Sequence, residues 1–227
     1  PLLPATSELA ALGDHAAVAS LTLRSTRFCA VLLVLTSLPL LLYGEPILSL
    51  WVGADYARNS IVFLEILTIA NMIRLSMLPY ALVLAGNGLQ LYGWVAAVGE
   101  AVVNFTLSIA LGYRFGAIGV ALGTLIGGVV SVGLHFFYTM RHTQVAIPVW
   151  RVEFVLHGLA RSLVCALPLV AFLLFCRGNP ASYGFWPPLL VSLLTMILVW
   201  FVGLARSDRE IFGEALRNWR LNRLVRA

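Results

Sequence analysis

Long apolar stretches, separated by short polar turns, run along most of the chain. A bilayer core of roughly 30 Å is crossed by about 20 helical residues, and each stretch is of that order. The stretches do not alternate apolar and polar residues with period two, as membrane-barrel strands would. The pattern therefore predicts an all-α, polytopic membrane helix bundle of about six transmembrane helices. The predicted spans lie near residues 26–43, 60–82, 88–112, 115–139, 154–176 and 185–204, and the first has room to continue through Glu45-Pro46 to Trp51.

Composition places this bundle in lipid. Hydrophobic residues make up 60% of the 227 residues and charged residues 11%, whereas about a quarter of the residues of ordinary soluble domains are charged. All fifteen basic residues are arginines, and they are scattered between apolar blocks. No basic and aromatic groove for nucleic acid follows from that distribution. The partner that this composition predicts is the lipid bilayer.

Signatures of catalysis are missing from the sequence. No Ser/His/Asp set, phosphate-cradling Gly-Lys loop or metal-ligand cluster appears, so we expect no enzyme, no cofactor and no metal. Three cysteines, Cys29, Cys165 and Cys176, lie in apolar runs without a C-x-x-C. They fit small buried hydrophobes better than disulfide or zinc chemistry.

The positions of the arginines predict the orientation. With the amino end in the cytoplasm, ten arginines fall inside and three outside, which is the bias of membrane proteins. The inner ones are Arg24, Arg27, Arg141, Arg151, Arg206, Arg209, Arg217, Arg220, Arg223 and Arg226; the outer ones are Arg58, Arg114 and Arg177. Both termini are therefore expected in the cytoplasm. Residues 205–227 form a basic amphipathic tail, whose arginines either enforce topology or meet anionic lipid headgroups.

Three segments carry a resemblance to a transporter family. They are residues 4–14 (Pro-Ala-Thr-Ser-Glu-Leu-Ala-Ala-Leu-Gly-Asp), 50–56 (Leu-Trp-Val-Gly-Ala-Asp-Tyr) and 116–124 (Gly-Ala-Ile-Gly-Val-Ala-Leu-Gly-Thr). In order and spacing they resemble the carboxy-terminal lobe of polysaccharide (O-antigen or exopolysaccharide) flippases. These flippases belong to the multidrug/oligosaccharidyl-lipid/polysaccharide exporter superfamily. The resemblance covers essentially the whole chain, most strongly residues 1–140, and the first segment matches a cytoplasmic loop.

The resemblance implies a function in the bacterial inner membrane. Residues 1–204 would form the carboxy-terminal lobe of a fourteen-helix transporter, which flips a lipid-linked oligosaccharide to the outer leaflet for cell-surface polysaccharide. An amino-terminal lobe would supply the other wall of its cavity. Pro1-Leu2-Leu3-Pro4 reads as the end of an earlier element, so we expect this chain to be part of a longer protein.

Four polar side chains inside the predicted spans are candidates for a substrate or ion path. An unpaired charge at mid-membrane costs at least a few kcal/mol, so such groups face a cavity or a partner. Arg74 and Asn71 share one face of the second span, and Glu100 and Asn104 share a face of the third. A short turn makes these spans antiparallel and brings Arg74 near Glu100 in depth. Either the two form a structural pair, or Glu100 takes up a cation or proton and Arg74 an anionic substrate group.

Three further features concern the spans. Arg161, four residues after His157, is a fifth candidate for the substrate or ion path, and it either snorkels to the inner surface or binds a lipid phosphate. On the fourth span, Gly119, Gly123 and Gly127 form a groove for close helix packing. Pro79 and Pro168 each predict a bend, because proline removes an internal hydrogen bond.

Two other functions compete with the flippase. One is a drug/cation antiporter of the same superfamily, which should have an acidic cavity. Arg74 and Arg161 in the spans favour an anionic substrate instead. The other is a membrane-embedded polysaccharide polymerase or glycosyltransferase, which should carry a large outer loop, whereas the outer loops here are short.

Overall fold

The computed structural model describes residues 2–143, 164, 167, 171–172, 186–198 and 201. Within these residues every regular element is a helix, so the all-α prediction is confirmed for the part of the chain described. The elements are α1 (Leu2–Ala11), α2 (His15–Val52), α3 (Ala54–Leu75), α4 (Leu78–Gly86), α5 (Gln90–Phe115), α6 (Ala117–Leu134), a π-helical turn (His135–Thr139), α7 (Met140–His142) and α8 (Trp186–Leu198).

Four helical stretches of the described chain are long and apolar enough to cross a membrane. They are His15–Val52, Ala54–Gly86, Gln90–Phe115 and Ala117–His142, and they coincide with the first four predicted spans. The predicted span 154–176 and the tail 205–227 lie almost entirely outside the described residues. Helix α8, with 13 described residues, falls within the predicted span 185–204.

The amino-terminal segment is helical well before residue 26, where the first predicted span begins. Gly13, at φ +71°, ends α1, and the Asp14 carboxylate accepts a hydrogen bond of 2.9 Å from the amide of Ala17. This cap starts α2 eleven residues before the predicted span. Apolar length marks only the membrane-crossing part of a helix, so it could not show this extension.

Helix α2 continues past Pro46 and bends there. Tyr43 has non-helical angles (φ −116°, ψ 19°), and the helix resumes to end at Val52. Pro46 has no amide hydrogen to donate to the preceding turn, which accounts for the bend. Gly53, at φ +94°, then reverses the chain into α3.

The second predicted span is broken rather than bent. Helix α3 ends at Leu75, and α4 begins at Leu78 after a turn at Ser76 and Met77. Pro79 lies in the first turn of α4, where its missing amide hydrogen has no helical partner. The irregularity that Pro79 predicts is therefore present, as a turn just before the proline. The Cys29 thiol, 3.4 Å away, donates to the Leu75 carbonyl at the break.

The packed core lies where α1, α2, α4 and α7 meet. Tyr80 is fully buried there together with Val18 from α2 and Met140 from α7. Its hydroxyl lies 3.3 Å from the hydroxyl of Thr143. This contact ties the start of α4 to the end of the fourth membrane-length stretch.

Candidate functional site

Small residues on α6 bring α3 and α5 together. A methyl group on Gly127 would lie 2.9 Å from the Cβ of Asn104 on α5. One on Gly128, the next residue, would lie 3.5 Å from the Ala70 carbonyl oxygen and 3.9 Å from the Cβ of Arg74 on α3. Each of these two consecutive glycines therefore allows one neighbouring helix to pack closely, α5 and α3 lying on adjacent sides of α6.

This close packing places Arg74 beside Glu100. Nη1 of Arg74 lies 3.7 Å from Oε1 of Glu100, an ion pair longer than a hydrogen bond. Nη2 of Arg74 donates a 2.8 Å hydrogen bond to Oδ1 of Asn71, one turn earlier on α3. The Arg74 side chain is 50% exposed and that of Glu100 is 18% exposed. The juxtaposition expected from the sequence is present, whereas a role of the pair in a transport path stays a prediction.

Asn104 belongs to a different environment from Glu100. Its Oδ1 lies 2.9 Å from the hydroxyl of Ser108 and 3.3 Å from that of Thr124 on α6, and both hydroxyls can donate to it. Asn104 thus holds α5 to α6 at a polar contact inside their interface. It helps to fix the register of the two helices rather than to line the cavity described next.

The other two predicted packing glycines lie on the same face of α6. A methyl group on Gly123 would meet the backbone of Ser108 at 2.7 Å, and one on Gly119 would overlap the Leu111 carbonyl. At the other end of the pair, the Thr139 hydroxyl donates a 3.2 Å hydrogen bond to the carbonyl of Tyr92. Helices α5 and α6 therefore run antiparallel in one fixed register.

A cavity of about 350 Å³ opens beside the ion pair. Its polar wall consists of Arg74, Gln90, Glu100, Ser131 and His135. Its apolar wall is built largely from the α3–α4 break and the first half of α5, and includes Leu75, Met77, Leu84 and Ala97. A cavity of this size lies at the lower end of the roughly 300–1,000 Å³ typical of small-molecule sites.

No protein-family model, curated protein or solved structure matches this chain. The site is accordingly interpreted from its own residues.

His135, like Gln90, is a cavity residue that the sequence interpretation missed. It opens the π-helical turn that follows α6, and only 7% of its surface is exposed. Its ring meets that of Tyr80 edge to face, with centroids 5.8 Å apart and planes at 88°. An ionisable residue inside an apolar run is itself a signal of function in a membrane segment. That signal was available in the sequence, because His135 stands within Leu134-His135-Phe136-Phe137.

The remaining predicted site residue, Arg161, lies outside the described residues. Among the residues that are described, no group of three His, Cys, Asp or Glu side chains is arranged to hold a metal ion. The groups that the structure brings together are thus a guanidinium, a carboxylate, an amide, a hydroxyl and an imidazole.

These five groups suit hydrogen bonding to a polar ligand. The guanidinium only donates, the carboxylate accepts, and the amide, hydroxyl and imidazole do both. The opposite charges of Arg74 and Glu100 cancel within the pair, so the wall carries both donors and acceptors without a net charge.

Proposed function

We propose that this chain is the carboxy-terminal lobe of a transporter that moves a lipid-linked oligosaccharide across the bacterial inner membrane. The observation that carries the proposal is the cavity among membrane-length helices, lined by the Arg74–Glu100 pair. Ionisable groups within such helices typically mark a substrate path, because placing them in lipid is costly. The resemblance of three sequence segments to polysaccharide flippases supplies the substrate class.

The proposed arrangement in the membrane follows the arginine distribution. Both termini face the cytoplasm, and an amino-terminal lobe of the same protein forms the opposite wall of the path. Repeated lobes of transporters rock against each other around a site at their interface. In this arrangement the half-exposed side chain of Arg74 faces the path rather than lipid.

Breaks in two helices support movement at the proposed site. The α3–α4 turn at Ser76 and Met77 and the π-helical turn at His135 both adjoin the cavity. Irregular backbone at membrane depth is tolerated where it is buried in protein or lines a water-filled space. Transporters build their sites from such discontinuous helices.

The antiporter and the enzyme remain the competing functions. A carboxylate on the cavity wall, Glu100, is what an antiporter needs for a cation or a proton. Its pairing with Arg74 reduces the attraction for a cation, since the guanidinium occupies the same region. The flippase therefore accounts better for both members of the pair.

Complementation tests the proposal. A bacterial strain that lacks this protein and makes no surface polysaccharide is supplied with the full-length protein, unaltered or with Glu100→Gln or Arg74→Gln. We expect the unaltered protein to restore the polysaccharide and each variant to restore less. Arg58→Gln is the matched control, because Arg58 is exposed near the other end of α3. Normal polysaccharide from both cavity variants at equal protein levels would contradict the proposed path.

A further inference from the structure

His135 holds a buried polar atom that lacks a partner. Its Nδ1 makes no hydrogen bond within the described chain, although the residue is only 7% exposed. A buried polar atom left unsatisfied costs roughly 1–3 kcal/mol, so native proteins seldom keep one without a reason. His135 lines the cavity, so a molecule bound there would lie against this imidazole.

The backbone at this position is also unusual. The α-helical pattern of α6 stops at Leu134, and the residues from His135 to Thr139 form a π-helical turn. Such turns are rare and frequently occur at functional sites. Ser131 lies one turn before His135 and lines the same cavity, so one face of this helix end presents two polar groups to it.

The charge of the cavity selects the kind of ligand. Arg74 and Glu100 neutralise each other, and the remaining polar wall is formed by the uncharged groups of Gln90 and Ser131 together with His135. A net charge brought into a site of low dielectric constant is penalised unless an opposite charge meets it. An anion would have to compete with Glu100 for Arg74, and a cation would have to compete with Arg74 for Glu100. A neutral ligand can form hydrogen bonds with both side chains while their ion pair stays intact.

The volume of the cavity and the polarity of its walls restrict the class of ligand further. Donors and acceptors lie beside apolar surface from Leu84 and Ala97, and the volume is about 350 Å³. A sugar ring has hydroxyl groups that both donate and accept at its edge, and C–H groups on its faces. The hydroxyl groups of a sugar therefore match the polar wall with its donors and acceptors, and its C–H faces match the apolar wall.

We propose that this cavity is a subsite for one neutral sugar ring, and that His135 is one of its binding residues. Glu100 accepts hydrogen bonds from the sugar hydroxyls, Arg74 donates to their oxygens, and the imidazole of His135 is the third hydrogen-bonding group beside the ring. The inference rests on the proposed function for the source of the sugar, a lipid-linked oligosaccharide. It deepens that function by placing the sugar, rather than the phosphate, at the Arg74–Glu100 pair.

The variant His135→Phe separates a binding role from a structural one. Phenylalanine keeps the aromatic contact with Tyr80 and removes the unsatisfied nitrogen, so the thermal stability of the protein without sugar should stay equal or rise. Sugar binding should instead weaken about fivefold to tenfold, the loss expected for one hydrogen bond. A residue that merely packs would show no such opposition between stability and binding.

The experiment is saturation-transfer NMR on the full-length protein in lipid nanodiscs. The probes are the methyl glycosides of glucose, galactose and N-acetylglucosamine, and binding of pyrophosphate is followed separately by its phosphorus signal. The matched control is His142→Phe, because His142 is exposed and lies seven residues further along. Glu100→Gln provides a second cavity variant if His135→Phe does not fold.

We expect transfer to at least one glycoside, weakened by His135→Phe and by Glu100→Gln and unchanged by His142→Phe. If no saturation is transferred to any of the three glycosides, the sugar subsite is contradicted and the cavity is a water-filled space. Pyrophosphate binding that weakens in the cavity variants, without glycoside binding, would overturn it in favour of an anion site. The two proposals can fail separately. If no glycoside binds but the protein still restores the polysaccharide, only the sugar subsite is contradicted. If a glycoside binds but the protein restores no polysaccharide, only the flippase function is contradicted.

Discussion

Arg74 and Glu100 set the electrostatics of the cavity, each through a different environment. The carboxylate is mostly buried, and the guanidinium is half exposed and held by Asn71 on its own helix. The pair lies 3.7 Å apart, so both groups keep hydrogen-bonding capacity for a third molecule. A tighter, bidentate pair would have used that capacity within the protein.

A double-mutant cycle measures the coupling in this pair. Arg74→Gln, Glu100→Gln and the double variant are compared by SDS-induced unfolding of the purified protein. We expect a coupling free energy of about 1 kcal/mol, because residues in contact typically couple by roughly 0.5–3 kcal/mol. A second cycle with Arg58→Gln and Glu100→Gln is the control, since Arg58 lies about 24 Å from Arg74 along α3. Equal coupling in the two cycles would contradict the ion pair.

The positions of Arg74 and Glu100 could be anticipated from the sequence, but that of His135 was overlooked. Both charged residues stand out within apolar runs, and a short turn makes their spans antiparallel, although it is α6 that packs against both α3 and α5 in the structure. Asn71 and Asn104 share faces with them, yet Asn104 turns into the α5–α6 interface, because Ser108 and Thr124 provide its partners there. Helical periodicity specifies a face of the helix and leaves open which neighbour covers it.

At the scale of the elements, α6 organises the described bundle. Its glycines let α5 approach on one side and α3 on the other, so the cavity depends on helix spacing as well as on its own lining. The sequence pattern showed Gly119, Gly123 and Gly127 as a groove. It did not show that Gly128 allows a second helix, α3, to pack closely, because glycines spaced four residues apart indicate only one face of the helix.

Substitution of Gly123 tests this packing. An added methyl group in Gly123→Ala would lie 2.7 Å from the Ser108 amide nitrogen, so α5 must move away. Overpacking of this kind typically costs roughly 1–3 kcal/mol, and we expect a loss of that order in SDS-induced unfolding. Gly133→Ala on the same helix is the control, because its methyl group would meet nothing within 4 Å. We expect that variant to be unchanged or stabilised by up to about 1 kcal/mol; equal losses would contradict the packing.

Helix existence was predictable from apolar length, whereas helix ends depended on local chemistry. The extension of α2 back to His15 follows from the Asp14 cap, and the break after Leu75 follows from a turn that precedes Pro79. The break lies inside a continuous apolar run, so the hydropathy of the sequence does not indicate it. Proline indicated an irregularity near the right place but not its form.

At the scale of the whole molecule, the described turns alternate between two ends of the bundle. Gly53 joins α2 to α3 and Gly116 joins α5 to α6 at one end, and Asn87 lies between α4 and α5 at the other. Antiparallel packing of successive membrane-length helices produces this alternation. In the orientation proposed from the arginine distribution, the end with Asn87 faces the cytoplasm.

Cysteine labelling tests that orientation. Single cysteines are introduced as Asp55→Cys, Phe115→Cys and Asn87→Cys in a variant without native cysteines, and intact cells are treated with a membrane-impermeant maleimide. We expect Asp55→Cys and Phe115→Cys to be labelled from outside, because both lie at the Gly53–Gly116 end. Asn87→Cys should be labelled only after the cells are opened. The reverse pattern would show that the orientation is inverted.

The central claim is that this protein moves a finished lipid-linked oligosaccharide across the membrane, and its deletion from the native bacterium tests that claim most directly. The measurement is the amount, completeness and leaflet of the lipid-linked units, together with the surface polysaccharide. We predict that complete units accumulate in the inner leaflet and that the surface polysaccharide is lost. Single units on the outer surface would indicate a polymerase, and truncated units a glycosyltransferase. Unchanged polysaccharide would contradict the flippase and leave the antiporter.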